Sequence, residues 1–319
     1  MKTKFDIALM VKVAQMYYID GMKQEEIAKH VKISRSLISM ILTEAKDVGI
    51  VEVNIRNPLS NNDDISLQLE EKFNLRKCIV VPTSVQDTNV LRKLVAQRTV
   101  DLVNEMLENH STIGLAWGRA CYEFVSHYRT NKVLTGIDII PLIGGSNQNA
   151  PYFQLNEMVR LFAEKTNGTP YFIHAPAITA STEEKNMFIQ SSSMKGILEK
   201  WQGIDIVISG IGTLPNVNSS DRETYIGEYE IFKQLESNSA VGDICARYFN
   251  INGEFIKDEY YDRVIGIPVR DLKNSGKVIC VASGKEKVNS IIGALRTSII
   301  DTLVTDEQTG KSVLKACKK

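Results

Sequence analysis

The sequence predicts a two-domain α/β protein, in which a small helical domain precedes a larger domain built on a parallel sheet. The length of 319 residues suits about two domains. The first 56 residues contain two short helical segments joined by a tight turn. After residue 64, seven short runs rich in β-branched residues alternate with helical segments. Such alternation is typical of a parallel sheet covered by helices.

Composition excludes several classes of protein. Hydrophobic residues make up 43% of the chain and charged residues 24%, which excludes a disordered chain. No apolar run approaches the roughly 20 residues that a membrane helix needs, and the N-terminus lacks the pattern of a signal peptide. The five cysteines are scattered, without a Cys-X-X-Cys pair. They argue against a disulfide scaffold or a zinc site and predict a cytoplasmic protein.

The net charge is formally zero, with 38 basic and 38 acidic residues, which at first argues against a nucleic-acid partner. The charge is unevenly distributed, however. Residues 1–56 hold nine basic and seven acidic residues, a net charge of +2, so the remainder carries −2. The zero sum therefore does not exclude DNA binding. It predicts that one N-terminal domain binds DNA weakly and that useful affinity requires an oligomer.

Three helices are predicted in the N-terminal domain, residues 1–56. Apolar residues at helical spacing place the first over residues 5–19, the second over 24–31 and the third over 35–48. Ser34 suits the N-cap of the third helix, because its hydroxyl can accept a hydrogen bond from a helix N–H.

A strand and a linker are predicted to follow these helices. Residues 50–56 alternate apolar and polar side chains, which predicts a half-exposed strand that serves as a wing. Residues 57–64 are polar and interrupted by proline, which predicts a linker to the second domain, residues 65–319.

Two short helices joined by a tight turn, the second opening with small polar and basic residues, are typical of a helix-turn-helix. Ala28 is small where the helices approach each other, and Ile33 fills the turn. The third helix would enter the major groove, where Arg35 can pair with guanine through two hydrogen bonds. The residues predicted to contact double-stranded DNA are Gln24, Lys32, Ser34, Arg35, Ser36, Ser39, Thr43 and Lys46. The alternative is a three-helix protein-interaction module.

The second domain alternates strand-like and helix-like segments. The predicted strands cover residues 78–82, 112–117, 137–143, 170–175, 204–209, 277–283 and 302–306. The predicted helices between them include residues 90–109, 154–166, 183–201 and 286–296.

Four of these strands end in loops of small residues. The loops are Trp117-Gly118-Arg119, Gly144-Gly145-Ser146-Asn147, Gly210-Ile211-Gly212-Thr213 and Ser283-Gly284-Lys285-Glu286-Lys287. In a parallel sheet such loops share one edge, where ligands bind. Glycines allow backbone N–H groups to approach an anion, and helix N-termini favour negative charge. The loops together predict a small phosphorylated ligand, although glycine at such turns often serves turn geometry alone.

Other motifs are incomplete. There is no Gly-X-Gly-X-X-Gly and no Gly-X-Ser-X-Gly, and residues 305–312 resemble a P-loop whose first glycine is replaced by Thr305. The four histidines are dispersed, so no metal site is expected. Trp117 suits either core packing or a platform on which a sugar stacks.

The ordered series of motifs resembles the SorC-type bacterial sugar-responsive transcriptional regulators. The resemblance covers nearly the whole chain. It is carried by residues 24–28, 33–35, 113–118, 144–145, 210–212, 240–244, 262–263, 266, 282–284, 287, 294–295 and 303–307. Within the family, the chain is most similar to regulators of sorbose or sorbitol operons.

The resemblance implies a winged helix-turn-helix domain followed by a Rossmann-like α/β effector domain similar to sugar-phosphate isomerases and deaminases. It also implies a homo-oligomer, a tetramer built as a dimer of dimers, that binds a palindromic operator as a repressor or an activator. A phosphorylated sugar is then the allosteric effector, and no cofactor is expected. The residues that the resemblance and the loops assign to the effector are Trp117, Gly118, Arg119, Gly144, Gly145, Ser146, Gly210, Gly212, Asp243 and Lys287.

Among these, Asp243 matches an acidic residue that contacts effector hydroxyls, and Lys287 matches a lysine that can meet the phosphate. The chain departs from the family at four positions. Met40 stands where many relatives have a basic residue, and Arg119 stands where many have a threonine. Ser283 replaces a common glycine. The residue before the Gly-Gly loop is Ile143 and not a lysine, so covalent capture of an aldehyde as a Schiff base at that position is not possible.

The rival hypothesis is an enzyme, a sugar-phosphate isomerase or deaminase with a fused DNA-binding domain. That chemistry needs an acid–base pair above the sugar carbon. Residues 213–218 lack Asp, Glu and His. The sequence therefore predicts a regulator with no catalytic residues.

Overall fold

The computed structural model describes residues 4–51, 62–83, 85, 87–214 and 229–317. The chain divides into two compact units, Met1–Leu59 and Ser60–Lys319. The predicted domain boundaries remain predictions, but the segment assigned to the linker already contains the start of a helix, Asn62–Phe73. Asp63 and Asp64 lie in its first turn, where carboxylates are favoured by the positive end of the helix dipole.

The first unit contains the three helices that the sequence predicts. Helix α1 spans Ile7–Ala14 and continues as a π-helical turn, Gln15–Ile19. Helix α2 spans Gln24–Val31, and α3 spans Arg35–Asp47. Among the described residues, the difference from prediction is the π-helical turn, which apolar spacing alone does not distinguish from an α-helix.

One apolar core holds this unit together. Met10 and Val13 of α1, Ile27 of α2, and Ile38 and Ile41 of α3 are each 0% exposed. Because each helix buries one side against the other two, the opposite side of α3 is left to solvent.

The second unit is built on a seven-stranded sheet in which every pairing is parallel. The strands are β1 (Lys77–Val81), β2 (Thr112–Leu115), β3 (Asp138–Pro141), β4 (Thr169–Pro170), β5 (Ile206–Gly210), β9 (Lys277–Val281) and β10 (Thr302–Asp306). Each overlaps a predicted run. Their spatial order is β1-β10-β9-β5-β2-β3-β4. Strands β2 and β10 are buried along their whole length, as expected for a sheet covered on both faces.

Helices connect these strands. They are α4 (Asn62–Phe73), α5 (Thr88–Met106), α6 (Arg119–His127), α7 (Leu155–Thr166), α8 (Thr182–Ile189), α9 (Ser192–Trp201), α10 (Tyr229–Ser237), α11 (Glu259–Arg263), α12 (Val269–Lys273), α13 (Val288–Arg296) and α14 (Glu307–Ala316). In the described part of the chain, none is long and apolar enough to cross a membrane.

The predicted helix over residues 183–201 is wrong in one respect, because the structure divides it into α8 and α9. Ser191 lies at the division, and its hydroxyl donates a hydrogen bond of 2.6 Å to the carbonyl of Phe188. A side chain that binds the preceding backbone in this way competes with continuation of the helix. The predicted helix over 286–296 begins with a 3-10 turn, Lys285–Lys287.

A second, three-stranded antiparallel sheet is absent from the predicted strands. It consists of β6 (Gly212–Thr213), β7 (Ala240–Ile244) and β8 (Arg247–Asn250). Its strands are short, and β6 and β7 contain residues that are depleted in strands, Gly in both and Asp in β7, so the propensity of these two strands is weak. This sheet begins directly after β5 and brings Asp243 beside the ends of the parallel strands.

Candidate DNA interface and effector site

The turn between α2 and α3 is fixed by local hydrogen bonds. The N–H of Ile33 donates to the carbonyl of Ala28 at 3.1 Å. Lys32 ends α2 in a left-handed conformation with φ of 59°. The hydroxyl of Ser34 accepts a bond of 3.2 Å from the N–H of Leu37, which confirms Ser34 as the N-cap of α3. The turn therefore aims the first residues of α3 outward.

The solvent side of α3 carries the residues that the sequence assigns to DNA. Ser36, Ser39, Met40, Thr43 and Lys46 recur at intervals of three or four residues, so they share one side of the helix, and all are exposed. Lys32, Ser34 and Arg35 are exposed as well, and Gln24 is half-buried. The eight predicted contacts are thus accessible or partly accessible, and their role in DNA binding stays a prediction.

The charged side chains on this surface make only weak contacts with their neighbours. Nε of Arg35 lies 3.8 Å from a carboxylate oxygen of Glu25, and both side chains are about two-thirds exposed. Nζ of Lys46 lies 5.7 Å from the centre of the Tyr18 ring. Exposed pairs of this kind contribute little to stability and are easily exchanged for another partner such as a phosphate. The predicted wing, residues 50–56, lies outside the described residues except for Ile50 and Val51.

The four small-residue loops predicted to bind a ligand lie side by side. They follow β9, β5, β2 and β3, which are consecutive neighbours in the sheet. Because all four strands are parallel, their carboxyl ends lie at the same edge, here named the effector edge. Residues far apart in sequence therefore line one margin of the sheet, where ligands of such folds bind.

Three glycine N–H groups at the effector edge are engaged by the protein itself. Gly118 donates to the carbonyl of Tyr152 at 2.8 Å, Gly144 to that of Ile265 at 2.9 Å and Gly145 to that of Ala175 at 2.8 Å. In this structure these three N–H groups already have acceptors, and the role of the glycines in binding an anion stays a prediction. These hydrogen bonds fix the loops at the edge. Gly118, with φ of 115°, is the N-cap of α6 and provides no side-chain cap.

Asp243 lies against Gly212 across the β6–β7 pairing. A Cβ atom at Gly212 would be 1.7 Å from Oδ1 of Asp243, so glycine is required for this close approach. Oδ2 of Asp243 accepts a bond of 3.0 Å from the N–H of Ala246. Burial raises the pKa of Asp243 from 3.8 to about 6, against the opposing effects of that hydrogen bond and of the charge of Lys287.

Lys287 brings a positive charge to the same place from the loop after β9. Its ammonium donates a hydrogen bond to the carbonyl of Ile211, the residue between Gly210 and Gly212. Burial lowers the pKa of Lys287, and the negative charge of Asp243 partly opposes this shift. The structure therefore joins three of the predicted site elements, the Gly210–Gly212 loop, Asp243 and Lys287.

Aromatic residues surround the loop after β2. The ring of Trp117 is half-buried and meets that of Phe153 edge-on, with centroids 5.8 Å apart. The guanidinium of exposed Arg119 lies 5.2 Å from the centre of the Tyr152 ring. On the neighbouring loop, Ser146 is half-buried, and its hydroxyl accepts a bond of 3.0 Å from the N–H of Gln148. The half-buried ring of Trp117 is thus compatible with both core packing and stacking of a sugar.

The sequence missed a buried support behind the loop after β9. Gly284, with φ of 112°, donates its N–H to the hydroxyl of Thr309 at 2.9 Å and to Asp306 at 3.3 Å. Asp306 and Thr309 are each 1% exposed and lie at the start of α14. The signal was the incomplete P-loop over residues 305–312. In the structure this segment connects β10 to α14, in keeping with Thr305 in place of the first P-loop glycine. It holds the loop that carries Lys287.

Arg92 is a further residue near this edge that no pattern in the sequence marks. It lies half-buried in α5, and its pKa is lowered first by burial and then by the nearby positive charge of Arg119. No motif surrounds it, so its position became evident from the packing of α5 beside α6.

This arrangement suits binding of a polar, anionic ligand. A carboxylate can fix hydroxyl groups and cations can hold a phosphate, each through charge-assisted hydrogen bonds. Within the described ranges, no group of three or more His, Cys, Asp or Glu side chains could hold a metal ion.

Comparisons with known proteins agree with this architecture. A family model described as "Putative sugar-binding domain" matches residues 57–315. The sorbitol operon regulator of Klebsiella pneumoniae is 28% identical over 316 residues, which cover 99% of this chain and 100% of that protein. The deoxyribonucleoside regulator of Bacillus subtilis is 28% identical over 306 residues, 96% of this chain and 97% of that protein.

A solved structure extends the similarity to three dimensions. The crystal structure of the full-length sorbitol operon regulator SorC from Klebsiella pneumoniae has a TM-score of 0.80 at 28% identity. It covers 98% of this chain and 100% of that chain. These relatives are named as regulators, not as enzymes. With its helix-turn-helix, its parallel sheet and its matched sugar-binding domain, the chain belongs to the SorC-type family of transcriptional regulators.

Proposed function

We propose that the chain regulates a carbohydrate-utilisation operon by binding operator DNA, and that a phosphorylated sugar controls its operator affinity or its assembly. The observation that carries the proposal is the half-buried pair of opposite charges, Asp243 and Lys287, at the effector edge. Asp243 would hold sugar hydroxyls, and Lys287 would hold the phosphate. The other eight predicted effector residues would line the same edge.

DNA binding would be carried by the exposed side of α3. Arg35 and the hydroxyls of Ser36 and Ser39 would face base edges, while Lys32 and Lys46 would contact phosphates. Because the predicted domain has a net charge of only +2, a single copy would bind weakly. We therefore propose a tetramer, a dimer of dimers, that gains affinity by binding repeated half-sites.

The proposed setting is the bacterial cytoplasm, with the effector as the small-molecule ligand and no cofactor. All five cysteines are free, and four of them are buried. The prediction of a sorbose or sorbitol operon stays open. Regulators named for sorbitol and for deoxyribonucleosides are equally identical to this chain, at 28%.

The experiment pairs ligand screening with DNA titration. The purified protein is heated with a panel of pentose and hexose phosphates and with the unphosphorylated sugars. A ligand that binds the folded state raises the midpoint of unfolding. The best ligand is then added to gel-shift titrations with the DNA upstream of the operon, at two salt concentrations. We expect a phosphorylated sugar to change the operator affinity or the size of the complex.

Two results would contradict the proposal. Absence of salt-dependent DNA binding would favour the protein-interaction module. Turnover of a sugar phosphate that is lost in Asp243→Asn would favour the isomerase or deaminase.

A further inference from the structure

Two arginines lie on neighbouring helices that begin beside the effector edge, and only one of them belongs to a small-residue loop. Helix α5 follows β1 and α6 follows β2, so both helices begin at the carboxyl ends of parallel strands. The two helices pack side by side, and α5 also crosses β10 and β9. Arg119 is the first residue of α6, and Arg92 lies one turn into α5.

In the part of the chain that the structure describes, neither arginine has a close carboxylate partner. Within the described ranges, no carboxylate oxygen lies within 4.0 Å of either guanidinium. Nη1 of Arg92 donates to the side-chain oxygen of Asn89 at 3.0 Å, and Arg119 lies over the ring of Tyr152. Both of these partners are neutral, so each guanidinium keeps donors for another acceptor.

The surroundings of Arg92 contain both signs of charge. Glu123 and Glu286 attract it, and Arg119 repels it. Glu123 is already 3.4 Å from His127. Arg92 also repels Lys287, so the charge of Arg92 is felt by one cation and feels another at this place. Repulsion by like charges at half-buried Arg92, which Glu123 and Glu286 offset in part, would be relieved further by a bound anion.

Four glycine N–H groups at the effector edge are already engaged. The N–H groups of Gly118, Gly144, Gly145 and Gly284 all donate to acceptors within the protein. A phosphate at the effector edge can be met instead by side chains and by the first turn of α6, which no described side chain caps. Arginine presents a planar fork of donors that fits phosphate oxygens.

We propose that Arg92 is an effector-binding residue, which joins Arg119 in holding the phosphoryl group and so selects phosphorylated over unphosphorylated sugars. The assignment rests on the proposed function, because it places a further residue in the same site. It gives α5, which no motif marks, a direct role in ligand choice.

The test uses inorganic phosphate as the probe and the full chain as the protein. Thermal unfolding is measured with rising phosphate, against sodium chloride at equal ionic strength, for the wild type, Arg92→Gln, Arg92→Lys and Arg98→Gln. Arg98 lies on the same helix and pairs with Asp101, so its substitution is the matched control. Midpoints in chloride alone verify that each variant folds.

We expect saturable stabilisation of the wild type by phosphate. In Arg92→Gln the half-saturating concentration should rise about tenfold or more, as for loss of a hydrogen bond to a charged group. Arg92→Lys should be intermediate, because it keeps the charge and loses the fork, and Arg98→Gln should match the wild type.

Three results would overturn the assignment. They are a wild type that phosphate does not stabilise, an Arg92→Gln variant as responsive as the wild type, and an Arg98→Gln variant that is equally impaired. Failure of the proposed function would differ, since operator binding would ignore every sugar phosphate while phosphate still stabilised the protein through Arg92.

Discussion

The DNA interface and the effector edge differ in how the chain builds them. The predicted DNA contacts come from one continuous stretch, residues 24–46, and nearly all are exposed. The effector edge gathers loops from four strands and partly buries Asp243 and Lys287, so that the pKa of Asp243 is raised and that of Lys287 is lowered. Local sequence therefore specifies the first region, while the second exists only after the sheet has formed.

The largest expected effect tests whether the effector edge acts separately from the DNA interface. Lys287→Ala should remove the response to the sugar phosphate, because it deletes the charge that lies beside Asp243. Operator binding without effector should be unchanged. Gel-shift titration with and without the best ligand of the thermal screen measures both quantities.

Lys285→Ala is the control for this prediction, because Lys285 is exposed and lies two residues earlier in the same turn. If the Lys287→Ala complex still responds at wild-type effector concentrations, Lys287 is not in the site.

The pH dependence of stability tests whether burial controls the charge of Asp243. The pKa of this group is about 6 in the folded state and 3.8 ordinarily, so the folded state binds the proton more tightly. Stability should therefore fall as the pH rises from about 4 to about 6, and above that the ionised carboxylate costs on the order of 3 kcal/mol. Asp243→Asn removes this cost and keeps an acceptor for Ala246. It should be more stable than the wild type at pH 8, with no difference at pH 4.

Urea unfolding at pH 4, 6 and 8 measures this difference in free energy. Asp101→Asn is the control, because Asp101 is half exposed on α5. A gap between Asp243→Asn and the wild type that is the same at all three pH values would show that ionisation of Asp243 is not its source.

A smaller effect is expected at the DNA interface. Arg35→Ala should weaken specific operator binding by about 1–3 kcal/mol, the range for losing a two-bond contact with guanine. The exposed pair with Glu25 is too weak to hold Arg35 away from DNA. Lys29→Ala, on the exposed side of α2, should reduce specific affinity less. Titration against the operator and a scrambled duplex separates the two, and an unchanged specific affinity would remove Arg35 from the contact set.

The smallest effect concerns the local turn. Ser34→Ala removes the side-chain acceptor for the N–H of Leu37 and should cost about 1 kcal/mol of stability in the first unit. Ser39→Ala alters an exposed hydroxyl on the same helix and should cost less. Thermal unfolding followed by circular dichroism gives the comparison. Equal losses in the two variants would argue against a capping role.

Much of the fold was predictable because its signals are local. The bounds of α2 and the cap at Ser34 follow from apolar spacing and a single hydroxyl. The seven parallel strands follow from short β-branched runs that are buried on both faces. The small sheet of β6, β7 and β8 escaped prediction because Gly212 and Asp243 have low strand propensity. The sequence did not assign three residues near the site, because nothing beside them in the chain shows which distant groups they contact. They are Arg92, Asp306 and Thr309.

By itself the sequence determined the helix-turn-helix, the alternating α/β pattern and the loops that end four strands, since each depends on residues close together in the chain. Tertiary structure decided that these four strands are neighbours and that the side chain of Asp243 packs closely against Gly212. It also decided that Arg92 shares the surroundings of Arg119 and that the glycine N–H groups are already engaged. Burial and long-range charge set these properties, and both arise only when distant segments pack together.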